Sequence, residues 1–102
     1  MQEREILLTR EADEDISQLA CFVASIYQEE SGERFRLRMM SQIVELSYSA
    51  ESFAPSRYLT ARRIHPQART LSIMNHHWTV VFHVEDDYVI IDRILASSMI
   101  VN

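Results

Sequence analysis

At 102 residues, with one cysteine and one glycine, the chain is expected to be a single domain, 1–102, that builds its core without disulfides or a glycine-rich phosphate loop. Its formal net charge is −5, and all ten basic residues are arginine. That balance repels phosphate at long range, rules out a lysine Schiff base and leaves only arginine for binding anions. The acidity is uneven: residues 1–50 hold five Arg against ten Asp and Glu, and residues 51–102 hold five against five. No signal-peptide pattern and no apolar run of membrane-spanning length is present, so a cytoplasmic protein without membrane contact is expected.

Glu5 to Thr9 reads as a short first strand carrying Ile6, Leu7 and Leu8. Thr9 is a helix N-cap candidate, followed by Glu11, Asp13, Glu14 and Asp15, whose carboxylates suit the positive end of a helix dipole. Ala12, Ile16, Leu19, Val23 and Ile26 then form one apolar stripe on a helix running to about Gln28. Cys21, among apolar helical neighbours, is expected to be a buried, inert thiol.

Ser31-Gly32 reads as the break before a second helix, with Gly32 left-handed, and the short joint makes the two helices an antiparallel hairpin. The second helix is expected from Glu33 to Ser52, with Phe35, Met39, Ile43, Leu46 and Ala50 facing inward. Arg34, Arg36 and Arg38 alternate at a spacing of two, so they spread around this helix as a solvated face. Pro55 closes the helical region. Residues 56–67 form the least regular and most basic segment, with Arg57, Arg62 and Arg63 as candidate contacts to a target or an anion.

Arg69 to Met74 alternates as a half-buried strand, and Asn75-His76 turns it into the most hydrophobic stretch of the chain, His77 to Leu95. There HWTVVFHV and YVIIDRIL flank Glu85, Asp86 and Asp87, as in a β-hairpin. Trp78, Val80, Phe82 and Val84 share one face; His77, Thr79, Val81 and His83 share the other. The second run is apolar on both faces apart from Asp92 and Arg93, so this hairpin is expected at the sheet's centre. The fold class is therefore α+β: an N-terminal strand, an antiparallel helical hairpin and three antiparallel strands in a small twisted sheet, in two layers.

The four histidines do not sit at metal-ligand spacings, and no cofactor is expected. The candidates for acid–base work are Arg69, His77, His83, Asp92 and Arg93. Neighbours on a strand alternate sides, so Asp92 and Arg93 are expected to pair across strands, Arg93 as a structural ion-pair partner.

Taken together, the first strand with TREADEDISQLACFVA, the helix GERFRLRMMSQIVELSYSAESF, the segment RRIHPQARTL and the hairpin WTVVFHVEDDYVIIDRIL resemble the RelE/ParE superfamily of type II toxin–antitoxin systems. The resemblance spans nearly the whole chain. It implies a compact toxin neutralised by a cognate antitoxin that folds across it. RelE-like members cut mRNA on the ribosome; ParE-like members poison DNA gyrase. RelE-like nucleases carry basic side chains at positions that match Thr70, Ser72 and Thr79 here, and commonly a basic tail where this chain has Ala96 to Met99. These departures favour the ParE-like branch, a gyrase inhibitor and not an enzyme. The alternatives are a ribosome-dependent mRNA endonuclease, with Arg69, His76, His77 and Arg93 as its candidate residues, and a catalytically silent antitoxin-binding relative. A homodimer is left open. The resemblance also points the antitoxin to the apolar surface between the helical pair and the sheet edge.

Overall fold

The computed structural model describes residues 3–102. Strand β1 (Glu5–Leu8) leads into helix α1 (Arg10–Ile26), then α2 (Glu29–Ile43) and the short α3 (Leu46–Ser49), which continues as a 3-10 turn, Ala50–Ser52. Helix α4 (Leu59–Ile64) precedes β2 (Arg69–Ile73), β3 (Trp78–Glu85), β4 (Tyr88–Ala96) and a last 3-10 turn, Ser97–Met99. The sheet order is β1-β4-β3-β2, so the hydrophobic hairpin β3–β4 is central, as expected. β1 joins it in parallel and the other pairs are antiparallel. The fold class matches the α+β expectation, with a mixed sheet.

Thr9 is the hinge between the first strand and the first helix. Its backbone is extended, its hydroxyl accepts from the Ala12 N–H at 3.1 Å, and its own N–H still bonds Ile91 O at 3.0 Å. One residue therefore ends the β1–β4 ladder and caps α1.

α1 and α2 cover one face of the sheet. Ala12, Ile16, Met39, Ile43 and Leu46 pack there on Val80, Phe82, Val89, Ile91 and Ile94. Phe53 meets Phe82 edge to face, with centroids 5.7 Å apart and planes at 88°. The opposite face carries a second, smaller core, in which Ala61 and Ile64 of α4 join Ala68, Val81 and Leu95. Coverage on both sides explains why Val80, Val81 and Phe82 are all fully buried.

Several expectations are corrected. The helical joint lies at Tyr27-Gln28, and Gly32 is helical and buried within α2. A Cβ on Gly32 would sit 2.5 Å from Ala20 O and 2.8 Å from Ala24 Cβ, so its role is close helix approach and not a left-handed turn. The second helix ends at Ile43 rather than Ser52, and a separate turn of helix follows. Residues 56–67, read as irregular, contain α4, a helix too short to leave a clear period. Cys21 is exposed, on the rim of a shallow pocket it shares with Gly32, Glu33 and Arg36 of α2.

The left-handed residues lie elsewhere. Met74, Asn75 and His76 form the β2–β3 turn with φ of 53°, 58° and 66°, and Asp86 opens the β3–β4 turn at 52°. None is glycine, so each such residue costs on the order of 1 kcal/mol or more. The side chain of Gln42 holds the first turn in place: Oε1 accepts from the Met74 N–H at 2.9 Å while Nε2 meets the sulfur at 3.4 Å.

Candidate functional site

Where the ends of α1 and α2 overhang the β2–β3 turn, an open groove of about 360 Å³ runs between Val23, Tyr27 and Phe35 above and Met74 below. A second lobe of about 270 Å³ continues it along Asn75, His77 and Trp78, with Phe35, Arg38 and Met74 shared between the two. Arg34 and Arg38, one helical turn apart on α2, stand on the rim. Arg36 lies on another side of the helix, where it bonds Ser17 Oγ at 3.3 Å and borders the packed Gly32 region. The three arginines thus spread around α2 as expected, but two of them flank one groove. Beside it, Tyr27 is 75% exposed, Phe22 63% and Ile26 55%, an apolar patch at the tip of the hairpin.

The other face of the sheet presents hydroxyls. Thr70 and Ser72 of β2 and Thr79 of β3 converge with Tyr58, Ser97 and Ile100 on a pocket of about 150 Å³. Ser72 lies opposite Thr79 in the ladder, and Thr79 shares a hydrogen bond of 2.9 Å with Ser97. The chain after β4 is strapped over this face: Val101 N–H donates to Thr60 Oγ1 at 3.1 Å, and Thr60 N–H to Val101 O at 3.3 Å. The three positions matching the basic sites of the nucleases are thus brought together, and they carry no charge.

The candidate nuclease residues are not brought together. Arg69 pairs with Phe82 at one end of β2, and His77 precedes Trp78, the partner of Ile73, at the other, roughly 13 Å along the strands. Arg69 donates from Nη1 to Ala50 O at 2.9 Å, while its buried Nε has no partner among the described residues. His76 and His77 are exposed in and beside the turn. Arg57, Arg62 and Arg63 are exposed on and just before α4.

Arg93 is engaged by α1. Asp15 accepts from Arg93 Nε at 2.8 Å and Nη2 at 3.1 Å, and its Oδ2 also takes the Ile94 N–H at 2.9 Å. The bond to Asp15 holds the guanidinium pKa above its ordinary value, against partial burial. The expected cross-strand partner for Arg93 is therefore replaced by a helical one. The reason is a bulge: Val81 faces Arg93 and Phe82 faces Ile91, which leaves Asp92 as an extra residue. Asp92 does pair across strands, with Oδ2 2.7 Å from His83 Nδ1.

A cluster missed in the sequence surrounds His83. Its Nε2 lies 3.3 Å from Glu85, and the ring of His65 stacks on it at 3.7 Å with planes 3° apart. The bulge shows in the burial of β4, where the buried apolar positions run Val89, Ile91, then Ile94, a step of two followed by one of three; the sequence hides it, because Ile90 and Leu95 make both faces apolar. Nothing local to His65-Pro66 signals the stack. Among the described residues, no three His, Cys, Asp or Glu are grouped to hold a metal ion.

The described helices are all too short or too polar to cross a membrane. The arrangement is a small α+β fold, a central hairpin roofed by two helices on one face and braced by a short helix on the other. Among solved structures it is similar to a chain of the chromosomal ParDE TA system from P. aeruginosa, with a TM-score of 0.76 at 19% identity, covering 92% of this chain and 96% of that one. No family model and no curated protein matches the sequence.

Proposed function

We propose that the chain is the toxin of a type II toxin–antitoxin system, of the ParE-like kind that acts by binding a protein target, DNA gyrase, and is neutralised by a cognate antitoxin. The observation that carries this reading is the hydroxyl-lined face. Cutting RNA by transesterification needs cations or proton donors beside the phosphorane, and Thr70, Ser72 and Thr79 offer none with a charge. Arg69 and Arg93, which could supply one, are committed to Ala50 and Asp15. The likeness to a ParDE chain supports the same branch.

Arg57, Arg62 and Arg63, exposed and without a salt bridge among the described residues, are the candidate contacts to the target. The groove between the helical hairpin and the β2–β3 turn is the seat for the antitoxin.

Induction of the chain alone in bacteria is the test. Growth arrest relieved by co-expression of the neighbouring antitoxin gene is the expected result. Harmless induction would leave only a silent, antitoxin-binding relative.

A further inference from the structure

We propose that the His65–His83 stack is a proton-operated latch: it holds the end of α4 to the sheet while the His65 ring carries no charge, and a proton taken up by that ring releases α4. What release does to a target rests on the functional reading above, which puts Arg57, Arg62 and Arg63 at the contact; the latch itself does not.

The two rings are bonded in opposite ways. His83 presents Nδ1 to Asp92 Oδ2 at 2.7 Å and Nε2 to Glu85 Oε2 at 3.3 Å. Ionised carboxylates only accept, so a proton on either nitrogen of His83 has a partner. His65 instead uses Nδ1 as an acceptor, for the Gln67 N–H at 3.0 Å, and no carboxylate bonds its ring among the described residues. A proton on that nitrogen sets donor against donor at Gln67. It also lays one imidazolium flat on another, 3.7 Å away, once His83 holds its own.

The other charges on the elements that meet here do not relieve this. Arg62 and Arg63, in the last turn of α4, are exposed and of the same sign, as is Arg57 just before the helix. The C-terminal end of a helix favours a cation, but those two arginines already occupy that turn. On β4, Arg93 is bound to Asp15, and on β2, Arg69 is turned to Ala50. Asp92 and Glu85 are the carboxylates at hand, and both are engaged by His83.

α4 depends on this contact because little else holds its far end. It has six residues, too few to be stable alone, and the core beneath it is small, with Ala61, Ala68 and Val81 fully buried. Its beginning is tied to the end of the chain by the bonds between Thr60 and Val101. Its end is tied by His65, which the following Pro66 biases to an extended backbone, φ −154° and ψ 137°, at the point where the helix stops. The same ring closes the turn after α4 through Gln67, so one proton undoes the stack and the turn together.

Amide exchange of the full chain, expressed as protection relative to the unstructured rate at each pH, tests this. The released state binds one more proton than the latched one, so its population grows by at most about tenfold for each pH unit of acidification. From about pH 7.5 to about pH 5.5, where imidazoles ordinarily titrate, protection of Arg62 to His65 is expected to fall about tenfold, with the central amides of β3 and β4 unchanged. His65→Phe keeps a ring on His83 but takes up no proton, and its α4 protection is expected to be the same at both ends of the range. Protection of α4 that is constant with pH in the native chain, that falls equally in His65→Phe, or that falls together with the whole sheet overturns the inference. Should the variant not fold, the imidazole signals of the native chain decide by NMR: opening that follows protonation of His65 supports the latch, and opening that follows another group overturns it. None of these readouts depends on toxicity, so failure of the latch and failure of the toxin reading are told apart.

Discussion

The imidazole of His65 lies flat on that of His83, ring centres 3.7 Å apart and planes within 3° of parallel. His65 follows α4 and His83 is buried in β3, so the stack pins the end of a short helix to the sheet. His65 is itself oriented, since its Nδ1 accepts the Gln67 N–H at 3.0 Å. His83 is oriented by Asp92 and Glu85. A helix of six residues has little stability of its own, so tertiary contacts of this kind hold it.

His65→Ala is therefore expected to cost about 1 kcal/mol, the worth of one aromatic pair. The signature is local: amide exchange speeds up across α4 with β3 and β4 unchanged. Uniform exchange along the chain would mean that the stack does not anchor the helix.

Asp15 does the work of a missing strand. β1 ends at Leu8, opposite Ile91, so the outer edge of β4 beyond that point is unpaired. Thr9 Oγ1 donates to Asp92 O at 2.9 Å, and Asp15 receives the Ile94 N–H and the Arg93 guanidinium. Asp15→Ala strands that N–H and that cation in a half-buried place and is expected to cost about 2 kcal/mol in chemical denaturation. Arg93's pKa is raised in the folded chain, so its contribution is complete below the unfolded value and fades only as pH climbs through the still higher folded one. The loss is thus expected to be constant through the neutral and mildly alkaline range.

Gly32→Ala sets two effects against each other. Alanine improves helix propensity by about 1 kcal/mol, but its Cβ would meet a backbone carbonyl, Ala20 O, at 2.5 Å. Backbone cannot step aside as a flexible side chain can, so the clash is expected to dominate, with a net loss of about 1–2 kcal/mol and a lower denaturation midpoint. A stabilised variant would show that the hairpin separates freely.

The sheet and the helical hairpin were legible in the sequence because their periods are long. Alternation in Trp78, Val80, Phe82 and Val84 marks the central strand, and the stripe through Ala12, Ile16 and Leu19 marks α1. Thr9 announced itself by its acidic followers. What escaped has no local signature. Gly32 reads equally as a breaker or as a packing residue until the opposite helix is in place. α4 is too short for a period, and the His65–His83 stack joins residues far apart in the chain. The groove could be anticipated as a location between helices and sheet edge; its two arginines could not, since Arg34, Arg36 and Arg38 look alike until the turn at Met74 selects two of them.

Glu51 makes an acid-sensitive contact. Its carboxylate lies 2.6 Å from Arg4, whose hydrogen bond and charge hold the Glu51 pKa below its ordinary value. A depressed folded pKa gives stability that is present above the unfolded value and lost as pH falls through the folded one. Glu51→Gln is therefore expected to lower the melting temperature slightly near neutrality, with the gap from the native chain closing in acid. A gap that persists there would assign the effect to something other than this pair.

The central claim, a toxin that binds a protein and cuts no RNA, is tested most directly by giving one purified preparation to DNA gyrase and to mRNA-loaded ribosomes in parallel. Loss of supercoiling activity with intact message is the expected result. Intact supercoiling at every concentration, together with cleavage of the message in the ribosomal A site, would contradict it.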